Sequence, residues 1–215
     1  MGITREGAEH NSVETSGNFA SATAIRRMLL SGEIDSAAKF MPKSSTEILD
    51  ECVANGTVPA NIKNCERAIL SRLRGMSREQ IARLPDISEG LENRIYDCVR
   101  TASSLDELYD SIKSKRYSHA RIRRIILSAF LGIRAVHTQS VPYIRILGMN
   151  GRGRELLSHV KPKLPVISSY KHVQKLAQEA RNIYMLECYA DDLWALMTPK
   201  IQPCGADMSA KLIVI

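Results

Sequence analysis

The sequence feature that most constrains the fold is a helical spacing of apolar residues between positions 118 and 134. Apolar side chains recur there at intervals of three and four residues, at Ile122, Ile125, Ile126, Ala129, Phe130 and Ile133. This spacing places them on one face of an α-helix, and Leu127 and Leu131 widen that face. We therefore predict one long, deeply packed helix from Ser118 to Arg134.

Shorter stretches with the same spacing precede this helix, separated by capping residues and glycines. Ser21 is a favourable N-cap for a first helix that Gly32 ends, and Ser77 with Gln80 matches a capping box. Aromatic residues make up only 5% of the chain, so its core must consist mainly of aliphatic side chains. These patterns predict a mainly α chain.

The pattern changes after Thr138. Short strands are predicted at residues 143–148, 165–168 and 211–215, and helices at residues 153–159 and 172–197. We place a break in the last helix near Arg181. The strand–helix–strand order favours parallel pairing, so we predict a small α/β element near the C-terminus.

Charge, cysteine content and hydropathy narrow the class of function. The net charge of +7 suits a polyanionic partner, because neutralised phosphates release condensed counterions; the alternative is an ordinary solvated surface. The five cysteines form no C-x-x-C pair, which disfavours a zinc ribbon or disulfide framework and predicts reduced thiols. No apolar run approaches the roughly 20 residues that cross a bilayer, so we predict a cytoplasmic protein without membrane contact.

The helix start from Ser21 to Arg26 is the first candidate binding site. Ser21 and Thr23 bring two hydroxyl groups to this end of the helix, and Arg26 follows about one turn later. Helix N-termini offer free N–H groups and a partial positive charge, which suit a phosphate. The alternative is that the two hydroxyls are ordinary helix caps.

The second candidate is a basic cluster around the start of the long helix. We define this basic cluster as Lys113, Lys115, Arg116, Tyr117, Arg121 and Arg124. Arg116 and the neighbouring Arg123 are expected to face solvent together while the isoleucines of the same helix face inward. Such a patch can follow an RNA backbone, and Tyr117 can stack on an exposed base. The alternative is a solvated helix face next to a loop.

The sequence contains no self-sufficient catalytic or metal-binding motif. The five histidines show neither H-x-x-H nor H-E-x-x-H spacing, and no Ser-His-Asp or Cys-His set can be assembled. The glycine-rich run at residues 148–154 fits neither the P-loop nor the dinucleotide fingerprint, so we interpret it as a tight turn between a strand and a helix. We predict no catalytic residue and no metal ligand.

Four segments taken in order resemble one family. They are residues 21–26, 88–95, 113–118 with Arg121 and Arg124, and 143–150. Together they resemble the tRNA(Met) cytidine acetate ligases, which have a nucleotidyltransferase-like domain, over almost the whole chain. The resemblance implies ATP-dependent activation of acetate as acetyl-adenylate. It also implies acetyl transfer to N4 of the wobble cytidine of elongator tRNA(Met), which makes tRNA and acetate the expected substrates.

The resemblance also implies nucleotide-binding residues. Arg5 follows a strand-like segment, where the family places an arginine that contacts ATP. Ser21, Thr23 and Arg26 resemble the second phosphate motif of nucleotidyltransferases, I-S-S-T-x-I-R, with alanine in place of the first Ile and of the second Ser. The HxGH-like phosphate motif of the family is not found in the sequence.

We therefore expect only the C-terminal part of such an enzyme. Residues 1–32 are predicted to be the remnant tail of a nucleotidyltransferase-type α/β domain, residues 33–138 a helical tRNA-binding domain, and residues 139–215 a small α/β and helical part. Without the HxGH segment, we expect the ATP site to be incomplete and the chain to contribute mainly tRNA binding. Such a chain could be a fragment, a late-start gene model or one subunit of a split enzyme. The alternatives are a non-catalytic RNA-binding module and a helical protein-interaction domain.

Overall fold

The structure, a computed structural model, describes residues 19–138 and 140–215. The chain divides into two compact units. The first comprises Met1–Asn64 and Ala195–Gln202, and the second comprises Cys65–Trp194 and Pro203–Ile215. The predicted three-part division of the chain stays a prediction.

The described part of the first unit contains three α-helices and irregular loops. Its helices are α1 (Ala22–Leu30), α2 (Ile34–Ala38) and α3 (Lys43–Ala54). Ser21 is the N-cap of α1, as predicted, and its side chain accepts a hydrogen bond from the backbone of Ala24. Gly32 has a φ of +80°, a left-handed conformation that glycine adopts without strain, and it turns the chain from α1 into α2.

The C-terminal segment of the first unit is hydrogen-bonded to the loop after α3. Lys200 N donates to Gly56 O at 3.0 Å, and Asn61 N donates to Met197 O at 2.8 Å. Gly56 has a φ of +70°, and a Cβ atom there would lie 2.8 Å from the Cβ of Lys200. Glycine is therefore required at this position for both backbone conformation and space.

The core of the second unit is built by five consecutive helices. They are α4 (Glu66–Arg74), α5 (Arg78–Ala82), α6 (Leu91–Thr101), α7 (Leu105–Ile112) and α8 (His119–Leu131). Helix α6 packs against α4, α5 and α7, while α8 packs against α4 and α7. Most of the predicted apolar stripe of α8 is buried, with Ile122 and Ile125 fully covered, whereas Leu127 is 37% exposed and Ile133 lies beyond the end of the helix. The helix begins at Ser118 as predicted, with Ser118 as its N-cap, but Gly132, with a φ of +74°, ends it before Arg134.

The remainder of the second unit contains short strands and helices. In chain order these are β1 (Ile144–Arg145), β2 (Gly148–Met149), α9 (Gly151–His159), β3 (Val166–Ile167), α10 (Tyr170–Val173), α11 (Gln178–Ala195), α12 (Ala206–Ser209) and β4 (Ile213–Val214). The predicted break in the last long helix falls earlier than Arg181, between α10 and α11. Turn-like hydrogen bonds from Lys175 to His172 and from Leu176 to Val173 replace regular helix there.

The strands form two separate parallel pairs within the described residues. β1 pairs with β3, and β2 pairs with β4. The parallel pairing predicted for the strands at residues 143–148 and 165–168 is confirmed by β1 and β3. The first of these predicted strands is divided in two, however, and its second part, β2, pairs with the C-terminal strand β4. A small core under the first pair contains Tyr143, Ile167, Val173, Leu176, Ala180, Tyr184 and Cys188.

Candidate functional site

The predicted phosphate-binding helix start is well formed. Ser21 is 3% exposed, and its Oγ accepts a hydrogen bond from Ala24 N at 3.0 Å. Thr23 is half-buried and Arg26 is exposed. The first turn of α1 contains no acidic residue, so its partial positive charge remains favourable for an anion. The position of Ser21 agrees with a capping role, and the phosphate-binding role stays a prediction.

The fourth predicted nucleotide contact, Arg5, lies outside the described residues, as does the strand-like segment at residues 2–5. The structure therefore places three of the four predicted contacts, Ser21, Thr23 and Arg26. All three lie within the N-cap and the first turns of α1.

The basic cluster surrounds the start of α8. Ser118 caps this helix by accepting a hydrogen bond from Arg121 N at 3.4 Å. In the preceding turn, the backbones of Ser114 and Tyr117 exchange two hydrogen bonds of 3.3 Å. The exposed members of the basic cluster are Lys113, Lys115, Arg116 and Arg124. The turn and the first turns of the helix thus bring the predicted RNA-binding residues together.

Two arginines of the basic cluster bind an acidic loop, which we define as residues 85–90. Arg121 donates to the backbone oxygen of Asp86 from Nε at 3.0 Å and from Nη2 at 2.7 Å, and Nη2 also donates to Ser88 Oγ at 2.7 Å. Arg124 Nε donates to the Asp86 carboxylate at 3.0 Å. These cations are therefore already engaged within the protein.

The other end of the acidic loop is bound in the same way. Arg116 forms an ion pair of 2.9 Å with Glu89, and the Tyr117 hydroxyl donates to Glu89 O at 3.4 Å. Tyr117 is only 7% exposed, and the guanidinium of Arg121 lies 5.3 Å from the centre of its ring. The position of the Tyr117 ring does not support the predicted stacking on a base, because this ring is packed within the protein.

The acidic loop has an unusual backbone. Asp86 has a φ of +64° and Glu89 a φ of +58°, both in the left-handed region that non-glycine residues rarely adopt. The hydrogen bonds from the basic cluster stabilise this conformation. Part of the basic cluster therefore has a structural role. Neither the predicted RNA contact nor the alternative of a solvated helix face had suggested this role.

A charged network around Arg145 escaped the sequence analysis. Arg145 donates to both carboxylate oxygens of Asp207, at 2.5 and 2.8 Å, and contacts Glu187 at 3.3 Å. Such two-pronged, charge-assisted pairs are strong and geometrically specific. Cys188 Sγ and the Tyr184 hydroxyl each lie 3.5 Å from an oxygen of Asp207. The network joins β1, α11 and α12.

The surroundings of this network shift the pKa values of its members. Hydrogen bonds from Arg145 lower the pKa of Asp207. Burial raises the pKa of the Cys188 thiol to about 11 and that of Tyr184 to about 12. Burial and the nearby carboxylates also raise the pKa of Asp191. At neutral pH Cys188 is therefore a neutral thiol and a poor nucleophile.

A cavity of about 250 Å³ borders this network, with Arg145, Ser168, Tyr184, Asp207 and Lys211 among its lining residues. Both ends of the Arg145 guanidinium are occupied by carboxylates, so it is not available to an added anion. We interpret the network as the contact that attaches α12, through Asp207, to β1 and α11.

The described residues offer no evident metal centre. Within residues 19–138 and 140–215, no group of three or more His, Cys, Asp or Glu side chains is arranged to hold a metal ion. All five cysteines are free thiols. Over the same ranges, the chain forms no helix with both the length and the apolar character needed to cross a bilayer.

A protein-family comparison defines the class to which this fold belongs. The family model described as HIGH Nucleotidyl Transferase matches residues 1–207, which takes in nearly the whole chain. The chain belongs to the HIGH nucleotidyl transferase family.

Curated proteins that are similar to this chain include tRNA(Met) cytidine acetate ligases. The one from Alkaliphilus metalliredigens is 36% identical over 203 residues, covering 90% of this chain and 48% of the relative. The one from Listeria welshimeri is 38% identical over 175 residues, covering 78% and 43%. These matches confirm the family that the four ordered segments indicated. The chain spans about half the length of the curated relatives it matches.

Solved structures give the same result. The apo crystal structure of Thermotoga maritima TmcAL superposes with a TM-score of 0.89 at 29% identity, covering 99% of this chain and 55% of that chain. The structure of the same protein bound with alpha-thio ATP superposes with a TM-score of 0.83, covering 93% and 53%.

These matches correct the fold-class prediction. We predicted a mainly α chain with a small α/β element, preceded only by the tail of a nucleotidyltransferase-type α/β domain. The family model runs through residues 1–207 and the Thermotoga structure matches 99% of the chain, so the chain as a whole has a nucleotidyltransferase-like α/β fold. The short strands themselves were predicted. The error lay in assigning the helical majority of the chain to a separate domain, because the helices carry a clear periodic signal and the strands of two residues a weak one.

Proposed function

We propose that this chain is part of a cytoplasmic tRNA(Met) cytidine acetate ligase, an ATP-dependent tRNA-modifying enzyme. The observation that carries the proposal is the 36% identity to such a ligase over 90% of the chain. The reaction would activate acetate as acetyl-adenylate and then acetylate N4 of the wobble cytidine of elongator tRNA(Met).

For the nucleotide, we propose contacts from Arg5, Ser21, Thr23 and Arg26. The start of α1 supports this choice, because its first turn lacks acidic residues and Arg26 is exposed. The match to a structure that contains an ATP analogue gives further support. A triphosphate would accept hydrogen bonds from the helix N-terminus and from the arginine.

For the tRNA, we propose that the basic cluster takes part in binding. Lys113 and Lys115 are exposed, and neither has an ion-pair partner among the residues that the structure describes. Arg116 and Arg124 would have to exchange a carboxylate for a phosphate, because each is paired with the acidic loop. Such an exchange is feasible for exposed ion pairs, which contribute only about 0–1 kcal/mol.

The experiment that tests this function is binding of the chain to transcribed elongator tRNA(Met) and to an unrelated tRNA across a salt series. We expect tighter binding to tRNA(Met), with an affinity that falls steeply as salt rises, because phosphate contacts release counterions. Absence of tRNA binding even at low salt would contradict the proposed tRNA contact.

A further inference from the structure

Six cations between residues 150 and 175 have no ion-pair or side-chain hydrogen-bond partner among the residues that the structure describes, in contrast to the arginines of the basic cluster. We call residues 150–175 the cationic segment; its cations are Arg152, Arg154, Lys161, Lys163, Lys171 and Lys175. All six are exposed, and no ion pair or side-chain hydrogen bond joins any of them to another described residue. The single acidic residue of the segment is Glu155, so its net charge is +5.

The pairing state decides which surface attracts a polyanion more strongly. In the basic cluster, Arg116 and Arg124 are paired with carboxylates, and Arg121 donates three hydrogen bonds to the acidic loop. A phosphate that binds these three arginines must displace their partners, which leaves Lys113 and Lys115 as the cations of the cluster that are not engaged by the acidic loop. A phosphate binding to the cationic segment displaces only water and counterions, which favours association.

The local fold keeps the cations of α9 at the surface. Gly153 and Leu157 form the half-buried side of this helix, and α9 packs against β2. Arg152 and Arg154 flank that side and are exposed. Asn150 caps the helix by accepting a hydrogen bond from Gly153 N at 2.9 Å, which fixes where α9 begins.

The cationic segment also contains an accessible aromatic ring. Tyr170 is 37% exposed and directly precedes Lys171. Its ring centre lies 6.1 Å from that of Tyr184, so the ring is supported by packing and is still reachable from solvent. An unpaired base can stack on such a ring, while the adjacent lysine neutralises its phosphate.

We propose that the cationic segment is a principal RNA-backbone contact surface of this chain and that Tyr170 stacks on an unpaired base. The inference rests on the proposed function, because it names the surface that binds the tRNA. It goes beyond the basic cluster, which in this view mainly stabilises the acidic loop.

The test uses the full chain with four substitutions, Arg152→Gln, Arg154→Gln, Lys161→Gln and Lys163→Gln. The matched control replaces four exposed cations outside both regions, by Lys39→Gln, Arg67→Gln, Arg83→Gln and Lys200→Gln. Both proteins lose the same net charge. Circular dichroism and thermal unfolding establish that each remains folded.

We expect the variant with four substitutions in the cationic segment to bind tRNA at least about tenfold more weakly than the unmodified chain at about 0.15 M salt. The slope of its log affinity against log salt should fall in magnitude by about 2 to 4, because each lost phosphate contact removes close to one unit. The control should keep most of the affinity and slope. Equal losses in the two variants would overturn the inference, since only overall charge would then matter.

A third variant, with Arg116→Gln, Arg121→Gln and Arg124→Gln, separates the two surfaces. If it loses binding while the first variant does not, the basic cluster is the contact surface and the inference is wrong. If the unmodified chain does not bind tRNA at all, the tRNA contact in the proposed function fails, and the inference fails with it. Titration of tRNA into the unmodified chain and the three variants distinguishes failure of the inference from failure of the proposed tRNA contact.

The stacking role of Tyr170 has its own readout. Tyr170→Ala should weaken tRNA binding by about tenfold without changing the salt slope, because stacking releases no counterions. Tyr170→Phe should restore the affinity, since it retains the ring. A Tyr170→Ala protein that binds as tightly as the unmodified chain would remove the stacking contact from the proposal.

Discussion

At the scale of single residues, neighbouring side chains of the same type have different roles. Arg26 and Arg27 are adjacent, exposed and on the same helix, but only Arg26 matches the phosphate motif that the family resemblance implies. Ser21 is the helix cap that the local sequence predicts. No local pattern shows that Arg121 donates to the backbone of Asp86, since such a bond depends on tertiary structure.

Arg26 and Arg27 therefore form a matched pair for nucleotide binding. Arg26→Ala should weaken binding of an ATP analogue by roughly tenfold or more, because a charge-assisted hydrogen bond contributes about 1.5–3 kcal/mol. Arg27→Ala should leave the affinity nearly unchanged. Isothermal titration calorimetry measures both, and equal affinities of the two variants would contradict the proposed phosphate contact.

The ion pair of Asp207 predicts a pH-dependent stability. Arg145 lowers the folded-state pKa of Asp207, so the pair stabilises the protein above the usual aspartate pKa, and that stability is lost as pH falls through the lower folded value. Asp207→Asn should reduce the free energy of unfolding by about 3 kcal/mol at neutral pH, because it leaves a partly buried guanidinium without its main partner. It should also flatten the dependence on pH below about 4.

Urea unfolding between pH 3 and pH 7 measures this effect. Glu47→Gln serves as the control, because Glu47 and Lys43 are both largely exposed and 4.0 Å apart. That change should cost less than about 1 kcal/mol. Equal losses for the two variants would show that the Arg145 network does not contribute as its geometry suggests.

At the scale of elements, capping residues were predicted well and element ends less well. The starts of α1, α5 and α8 follow from serine caps that the sequence shows directly. The end of α8 was placed beyond Gly132, although this glycine takes the left-handed conformation that terminates the helix. The pairing of β2 with β4 could not be predicted, because the two strands are far apart in the chain and each is only two residues long.

Gly148 and Gly151 provide a test of that pairing. A Cβ at Gly148 would lie 3.2 Å from Ile213 O, whereas one at Gly151 meets nothing within 4 Å. Gly148→Ala should therefore loosen the β2–β4 pair, and Gly151→Ala should be neutral or slightly stabilising, since alanine favours a helix by up to about 1 kcal/mol.

Hydrogen exchange at the amides of Ile213 and Ile215 gives a local readout, because these amides donate to Leu147 O and Met149 O. Faster exchange is expected in Gly148→Ala only. If both glycine variants exchange at the unmodified rate, the close approach of the two strands does not require glycine.

At the scale of the whole molecule, charge location matters more than net charge. The value of +7 suggested a polyanionic partner, and the sequence pointed to the basic cluster as the contact. Ion pairs with the acidic loop, however, engage much of that cluster. Six cations without a partner among the described residues lie in the cationic segment. They are spread over a helix, a loop and a second short helix, so the sequence does not show them as one cluster.

The sequence by itself determined the helical stripes, the serine caps and the family, because each depends on local spacing or on ordered motifs. Only the tertiary structure decided which cations are paired, which tyrosine is buried and how α12 is attached to β1 and α11. Arg145 and Asp207 lie 62 positions apart, and no periodic signal connects them. Their contact exists because the packing of β1, α11 and α12 brings them together, and packing depends on the whole chain.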